Sequence, residues 1–329
     1  MSLEEFGRFE GEPVHRVAIT DGVLTAYVMT WGAALQDLRL DGVDHPLVLG
    51  FETFEPYPDH SPFFGATAGR VANRIGHARF TLDGVTYDLA ANKPPHMLHG
   101  GERGMGKRQW RVAAHGEDFV EFAITDPDGY NGFSGTVEAL CRYEVADGAL
   151  HVVLTATANK PTPVNLAHHT YWNLDGSDDV RDHRISVAAD RYSDVDDDFI
   201  PTGKTPDVAG TRFDLHEARR LGDATDEGVV DHNLILSDER VGLRDVCRVE
   251  AGGLRLDVAT TEPGLQVYAG HKLDVQSGGL GGRRYDAFAG LALEPQVWPD
   301  AINHDHFPDS VLRLGETYRQ HSVFCISRT

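Results

Sequence analysis

Cysteine is scarce in this sequence: its 329 residues include only Cys141, Cys247 and Cys325. An odd number of widely separated cysteines excludes a framework of paired disulfides, and none has the CxxC spacing of a redox or metal motif. Because unpaired cysteines are typical of a reducing compartment, we expect a cytoplasmic protein.

Long apolar runs are also missing. No run of about 18 apolar residues occurs, which argues against a transmembrane helix. The sequence begins MSLEEFGRFEG, which is acidic and lacks the apolar core of an export signal. We therefore predict neither a membrane span nor a signal peptide.

Basic residues are outnumbered, because 30 Lys plus Arg face 51 Asp plus Glu and the net charge is -21. Proteins that track nucleic-acid phosphates need a positive surface, and so do proteins that bind anionic membranes. We predict no nucleic-acid partner and no membrane partner. The sequence does not distinguish a monomer from a homodimer.

Long amphipathic helices are absent from the pattern, and only short ones are predicted, around residues 215–221 and just before Pro56. Asp-Gly pairs, which favour tight hairpin turns, instead separate alternating or β-branched runs at residues 21–22, 41–42, 83–84 and 147–148. Strands that no helix covers must cover each other. Since no linker is evident, we predict an all-β fold, a large antiparallel β-sandwich that forms one domain over residues 1–329.

The stretch at residues 165–176, NLAHHTYWNLDG, is unusually dense in histidine, aromatic and amide side chains. In an extended strand successive side chains point to opposite faces. His169 and Tyr171 therefore share one face, and His168 and Trp172 share the other. Only one histidine can face a given pocket, and alternation alone does not decide which.

Four further stretches place reactive polar groups in otherwise structural sequence: GRVANRI with Asn73 and Arg74, HMLHGG with His99, VDHNL with Asp231, and LALEPQVWP with Glu294. A turn or a strand-end cap would explain each of the first three alone. Glu294 is more telling because it directly follows an apolar run, where a carboxylate is buried and needs a partner or a function. Pro295 then leaves it at a strand end.

Together these groups supply an acid, a base, an amide, a guanidinium and aromatic rings. The Gly-rich SGGLGGRRYD at residues 277–286 has neither the spacing of a dinucleotide fingerprint nor a Walker lysine. The combination predicts proton transfer on a neutral polyhydroxy ligand. Sugars fit well, because carboxylates and amides bind hydroxyls while an aromatic ring covers the apolar C–H face.

The sequence at this point resembles the galactose mutarotase, or aldose 1-epimerase, family. Six sequence motifs carry the resemblance, in order from about residue 65 to residue 305: GRVANRI, LHGG, PVNLAHHTYWNL, VDHN, EPGLQVYAG and LEPQVWPDAINH. The resemblance implies a large β-sandwich and an isomerase that needs no cofactor and no metal. Its implied reaction interconverts the α and β anomers of a free aldose, such as galactose or glucose.

Residue roles follow from the same resemblance. Glu294 is similar to the general base that takes the anomeric hydroxyl proton, and His169 to the general acid that protonates the ring oxygen, which turns His168 away from the sugar. The remaining site residues implied are His99 near the anomeric centre and, for the sugar hydroxyls, Asn73, Arg74, Asp231 and Gln266.

Three alternatives remain at this stage. A sugar-binding module could share the fold without catalysis. A hexose 6-phosphate epimerase would need a cationic clamp, for which Arg283 and Arg284 are candidates. A metal enzyme could use His304 and His306, which would share a strand face. Whether Trp172 or Trp298 stacks on the sugar also stays open.

Overall fold

The computed structural model describes residues 3–329. The first thirteen strands, β1–β13 in chain order, are Glu4–Phe9, Glu12–Thr20, Leu24–Met29, Ala34–Leu40, Ala66–Ala68, Arg74–Ile75, Arg79–Leu82, Val85–Asp88, Met97–Leu98, Arg111–His115, Phe119–Asp126, Val137–Ala146 and Ala149–Ala158. Strands β14–β26 are Thr162–Pro163, Ala167–His169, Tyr171–Trp172, Arg184–Val187, Arg191–Tyr192, Arg219–Arg220, Asp231–Ile235, Arg244–Ala251, Leu254–Thr260, Gly264–Tyr268, Leu291–Gln296, Val311–Leu312 and Tyr318–Arg328. The α-helices are short: α1 is Tyr57–His60 and α2 is Leu221–Asp226.

The strands form antiparallel sheets. The largest has nine strands in the order β10-β11-β12-β13-β26-β22-β21-β17-β19. A four-stranded sheet has the order β1-β2-β3-β4, and a five-stranded sheet has the order β16-β24-β23-β20-β18. The all-β prediction is confirmed. The two short helices begin at or after the ends of the stretches predicted for them, because residues 215–220 and 51–55 are not helical.

A continuous core lies between the nine-stranded sheet and the other two. Along β12 every second residue is buried, as expected of a strand with one face on the core and one towards solvent. The main apolar cluster joins inward side chains of all three sheets, for example Val28, Phe122 and Leu293. This is the layered packing of a sandwich, as predicted.

Strand β24 is different, because all six of its residues are buried. Leu291 and Leu293 point into the main core, whereas Ala292 belongs to a second apolar cluster on the opposite face. Both faces of the five-stranded sheet are therefore covered. Glu294 lies on the same face of the strand as Ala292, and this face points away from the main core.

Among residues 3–329, no helix has the length and apolar character needed to cross a membrane.

Candidate active site

One wall of the site, which we call the strand wall, consists of Asp231, Gln266 and Glu294 on strands β20, β23 and β24. Gln266 is directly opposite Glu294 in the β-ladder, and Asp231 is opposite Tyr268. Directly opposed residues project from the same face of a sheet. Antiparallel pairing therefore brings these side chains together although the residues are up to 63 positions apart (294 − 231).

His169 joins the strand wall from β15. Its Nε2 lies 3.5 Å from Oε1 of Glu294, and both side chains are almost completely buried. His168 lies on the other face, in the core, where its ring nitrogens contact the Tyr143 hydroxyl at 3.2 Å and the Thr170 hydroxyl at 2.6 Å. Strand alternation left the two histidines undecided and the family resemblance indicated His169, which is the histidine that the structure brings to Glu294.

The opposite wall, which we call the loop wall, carries His99, Asn73 and Arg74. Asn73 and His99 both have left-handed backbone conformations, with φ of 58° and 50°. The Asn73 backbone N–H donates to Nδ1 of His99 at 3.1 Å, and the His99 N–H donates to the Asn73 carbonyl at 2.9 Å. Because Nδ1 accepts a hydrogen bond, neutral His99 carries its proton on Nε2, which makes that atom a donor.

Gly100 allows the loop wall to form. Its φ is +80°, and a Cβ added there would lie 2.1 Å from the carbonyl oxygen of Gly69. Only glycine fits such a close backbone approach. The glycine after His99 is therefore required by the geometry of the turn.

Between the walls is a cavity of about 810 Å³, lined by His99, His169 and Glu294 at its buried end and by Asn73, Arg74 and Asp231 around them. Gln266 does not line this cavity. It lies behind Asp231, to whose Oδ1 it donates a hydrogen bond of 2.7 Å. Six of the seven predicted site residues thus line one cavity, and the seventh supports one of the six.

The aromatic groups of the cavity were not predicted from the sequence, apart from the density of the 165–176 stretch. They are Phe63, Tyr171, Phe199 and Tyr268. The Phe63 ring lies 4.6 Å from His99, and Phe199 lies between Arg74 at 5.2 Å and Lys272 at 4.4 Å. Tyr171 and Tyr268 lie on strands, whereas Phe63 and Phe199 lie on loops that carry no sequence signal that would have identified them.

Neither tryptophan whose role the sequence left open lines the cavity. Trp172 is in the main core beside Phe324, at a ring distance of 5.1 Å. Trp298 packs against Phe307 and donates from Nε1 to the Pro263 carbonyl. Neither Trp172 nor Trp298 can therefore stack on a sugar in this cavity.

Burial controls the protonation of the site. It raises the pKa of Glu294 well above its usual value, with a further contribution from Asp231 that Arg74 opposes. Burial also lowers the pKa of His169 to about 4. The pKa of His99 falls well below its usual value through burial first, then through the neighbouring His169, Arg74 and Lys107. The site consequently favours the uncharged forms of its acid–base groups.

Two buried polar atoms of the site, Oε2 of Glu294 and Nδ1 of His169, make no hydrogen bond to any group of residues 3–329. Buried polar atoms are nearly always paired, and exceptions mark functional positions. A carboxylate oxygen and an imidazole nitrogen at the closed end of a cavity can together exchange protons with a bound molecule.

Metal binding at this site is disfavoured by the tautomer of His99. Among residues 3–329 the one cluster of three potential metal ligands is His99, His169 and Glu294. Because Nδ1 of His99 accepts the Asn73 N–H and Nε2 carries the proton, His99 offers no free lone pair. Outside the cavity, His304 lies 3.6 Å from Asp300, and His306 contacts the Gly203 carbonyl.

The arginines considered for a phosphate clamp are also away from the cavity. Arg283 contacts the Ser177 carbonyl and Arg284 pairs with Asp286 at 2.7 Å. Neither lines the space between the walls. The structure removes these two residues as support for the hexose 6-phosphate alternative.

Comparison with known proteins places this geometry in a family. The model of the family described as aldose 1-epimerase matches residues 15–325. The chain belongs to the aldose 1-epimerase family. It is an aldose 1-epimerase, an isomerase that interconverts the anomers of aldoses.

Individual members of the aldose 1-epimerase family match over nearly the whole chain. The galactose mutarotase of Rattus norvegicus is 39% identical over 330 residues, which cover 96% of this chain and 95% of the relative. The aldose 1-epimerase of Escherichia coli is 36% identical and covers 94% of each chain. Among solved structures, an aldose epimerase homologue from C. elegans superposes with a TM-score of 0.91 at 34% identity, covering 96% of this chain and 99% of the other.

Proposed function

We propose that this aldose 1-epimerase acts on free, uncharged aldoses such as galactose and glucose, and that Glu294 and His169 are its acid–base pair. The observation that carries the proposal is the 3.5 Å approach of His169 Nε2 to Glu294 Oε1 at the buried end of the cavity. The mutarotases of mammals that resemble the chain are named for galactose.

In the proposed ring opening, the carboxylate of Glu294 takes the proton of the anomeric hydroxyl, O1. The C1–O1 bond becomes a carbonyl, the C1–O5 bond breaks, and protonated His169 gives its proton to the ring oxygen, O5. After rotation about C1–C2, O5 attacks the other face of C1, returns its proton to His169, and O1 recovers its proton from Glu294. The reaction is proton-neutral and needs no co-reactant.

The pKa shifts of the pair favour the ring-opening half of this cycle and oppose the return of the protons. Because burial raises the pKa of Glu294 and lowers that of His169, the pair is more stable as neutral acid and neutral imidazole than as carboxylate and imidazolium. Ring opening converts the charged pair into the neutral one. The buried site therefore favours the proton positions that accompany the open-chain aldehyde.

The remaining residues have binding and positioning roles in this proposal. His99 donates from Nε2 near the anomeric centre, since its tautomer is fixed by Asn73. Asn73, Arg74 and Asp231 bind sugar hydroxyls around the cavity. Gln266 is a positioning residue, because it contacts Asp231 from behind the cavity wall.

We also propose that the chain is one domain. The main apolar cluster includes residues of all three large sheets, from Val17 on β2 to Ile326 on β26. Sheets that share one core are expected to unfold together, in a single transition.

Polarimetry tests the proposed activity directly. Crystalline α-D-galactose and α-D-glucose would be dissolved with wild-type protein, with Glu294→Gln, and with Glu102→Gln, which removes an exposed carboxylate at the cavity rim. We expect fast relaxation for the wild type and for Glu102→Gln, and a loss of at least about 100-fold for Glu294→Gln. Relaxation of every free sugar at the uncatalysed rate would contradict the proposal and favour a sugar-binding role.

A further inference from the structure

Lysine is distributed unevenly in this protein. The sequence has five lysines, and three of them, Lys93, Lys107 and Lys272, line the cavity. Of the other two, Lys160 is paired with Asp128, and Lys204 lies on the Gly203 turn. In the described part of the chain none of the three cavity lysines has an ion-pair partner, although the net charge is -21. The lining also contains the carboxylates Glu102, Asp197, Asp198 and Asp231, so an anionic group on a ligand would be recognised by an individual lysine and not by the charge of the whole cavity.

Lys107 is the cavity lysine best placed to reach a ligand. Lys93 and Lys272 are exposed at the mouth, whereas Lys107 is half-buried. Its Nζ lies 5.4 Å from the centre of the Phe63 ring. Phe63 in turn lies 4.6 Å from His99 and 6.0 Å from His169. Lys107 is therefore separated from the acid–base pair by a single aromatic ring.

The orientation of the sugar determines what Lys107 would contact. If His169 protonates O5, the neighbouring atom C5 and its substituent C6 lie on the His169 side of the ring. Phe63 and His99 flank His169 on that side. On this side of the sugar the C6 substituent would be near Phe63, and Lys107 lies over the face of the Phe63 ring.

We propose that the cavity also accepts aldoses whose C6 is a carboxylate, the aldohexuronates, and that Lys107 recognises their anionic group. This inference rests on the proposed function, because it uses the same orientation of O1 and O5. A carboxylate occupies about the same volume as the hydroxymethyl group that it replaces, so the cavity needs no enlargement. Lys107 supplies a flexible cation, which pairs with a carboxylate without a fixed geometry.

The test compares galacturonate with galactose in one protein preparation. Relaxation of α-D-galacturonate would be followed by polarimetry near pH 7, where its carboxylate is ionised. We expect the wild type to catalyse both reactions. Lys107→Met, which keeps most of the length of the side chain and removes its charge, should lower the ratio of kcat/KM for galacturonate to that for galactose about tenfold.

Two further variants make the test specific. Lys107→Arg, which keeps the charge, should retain most of the ratio, and Lys204→Met should leave it unchanged. The galacturonate reaction should also slow more than the galactose reaction when salt is raised to about 0.5 M.

Three results would overturn the inference. Catalysis of galactose without catalysis of galacturonate would contradict it and leave the proposed function intact. If Lys107→Met leaves the ratio of kcat/KM for galacturonate to that for galactose unchanged, Lys107 does not recognise the anionic group. Relaxation of galactose 6-phosphate but not of galacturonate would show that the anion recognised is a phosphate.

Discussion

Glu294 and Asp231 reach the cavity from two strands, and Gln266 supports Asp231 from the strand between them, whereas His99, Asn73 and Arg74 reach it from two turns and a strand of two residues. The strand wall is fixed by a continuous ladder that many residues share. The loop wall depends on two reciprocal hydrogen bonds and on left-handed backbone at Asn73 and His99. A single change can thus displace the loop wall while the strand wall keeps its geometry.

The largest effect that separates the two walls is expected from Gly100→Ala. The new Cβ would meet the Gly69 carbonyl, so the turn that holds His99 must move. A displacement of about 1 Å can cost about 100-fold in rate, and we expect a loss of kcat/KM of that size by polarimetry.

Gly84→Ala is the matched control for that prediction. Gly84 has nearly the same backbone angle, a φ of +79°, but a Cβ there meets no atom within 4 Å. Both variants should lose stability from backbone strain, Gly100→Ala the more because of its clash, and only Gly100→Ala should lose activity. Equal activities in the two variants would show that the loop wall tolerates movement.

A smaller effect is expected in the strand wall from Gln266→Leu. This change removes the hydrogen bond to Asp231 but leaves the β-ladder, so Asp231 loses its support and Glu294 keeps its place. We expect KM for galactose to rise about tenfold with a smaller change in kcat.

Gln36→Leu is the control for Gln266→Leu, because Gln36 is equally buried and hydrogen-bonded but lies away from the cavity. It should lower thermal stability without raising KM. A fall in kcat with unchanged KM for Gln266→Leu would contradict the positioning role.

The smallest effect is expected from Phe199→Leu. The Phe199 ring lies 5.2 Å from the Arg74 guanidinium, and its loss removes a cation–π contact of about 0.5–1 kcal/mol. KM should rise about two- to fivefold. Phe119→Leu, which removes a similar contact with Arg142 on the nine-stranded sheet, should leave the kinetics unchanged. If both variants behave alike, Phe199 does not position Arg74.

The two walls also differ in how far the sequence predicts them. Asp-Gly pairs and the alternating or β-branched runs between them are local sequence signals, and they predicted an antiparallel all-β fold. The burial of Glu294 followed from the apolar run before it, because a strand covered on both faces has no polar side. That part of the site could be predicted from residue patterns.

The loop wall could not be predicted in that way. The positive φ of His99 and its bond with Asn73 depend on contacts between segments 26 residues apart, for which alternation gives no signal. The choice of His169 over His168 came from the family resemblance. Phe199 and Lys107 line the cavity through tertiary packing of loops, and nothing in their local sequence distinguishes them.

A double-mutant cycle on Glu294 and His169 tests the central claim most directly. If one proton-transfer cycle uses both groups, removing either one disables it, and residues that act as a unit are strongly non-additive. We predict that Glu294→Gln, His169→Asn and the double variant have values of kcat/KM for galactose within about tenfold of each other by polarimetry. Losses that multiply in the double variant would contradict the account, because they would mean that the two residues act independently.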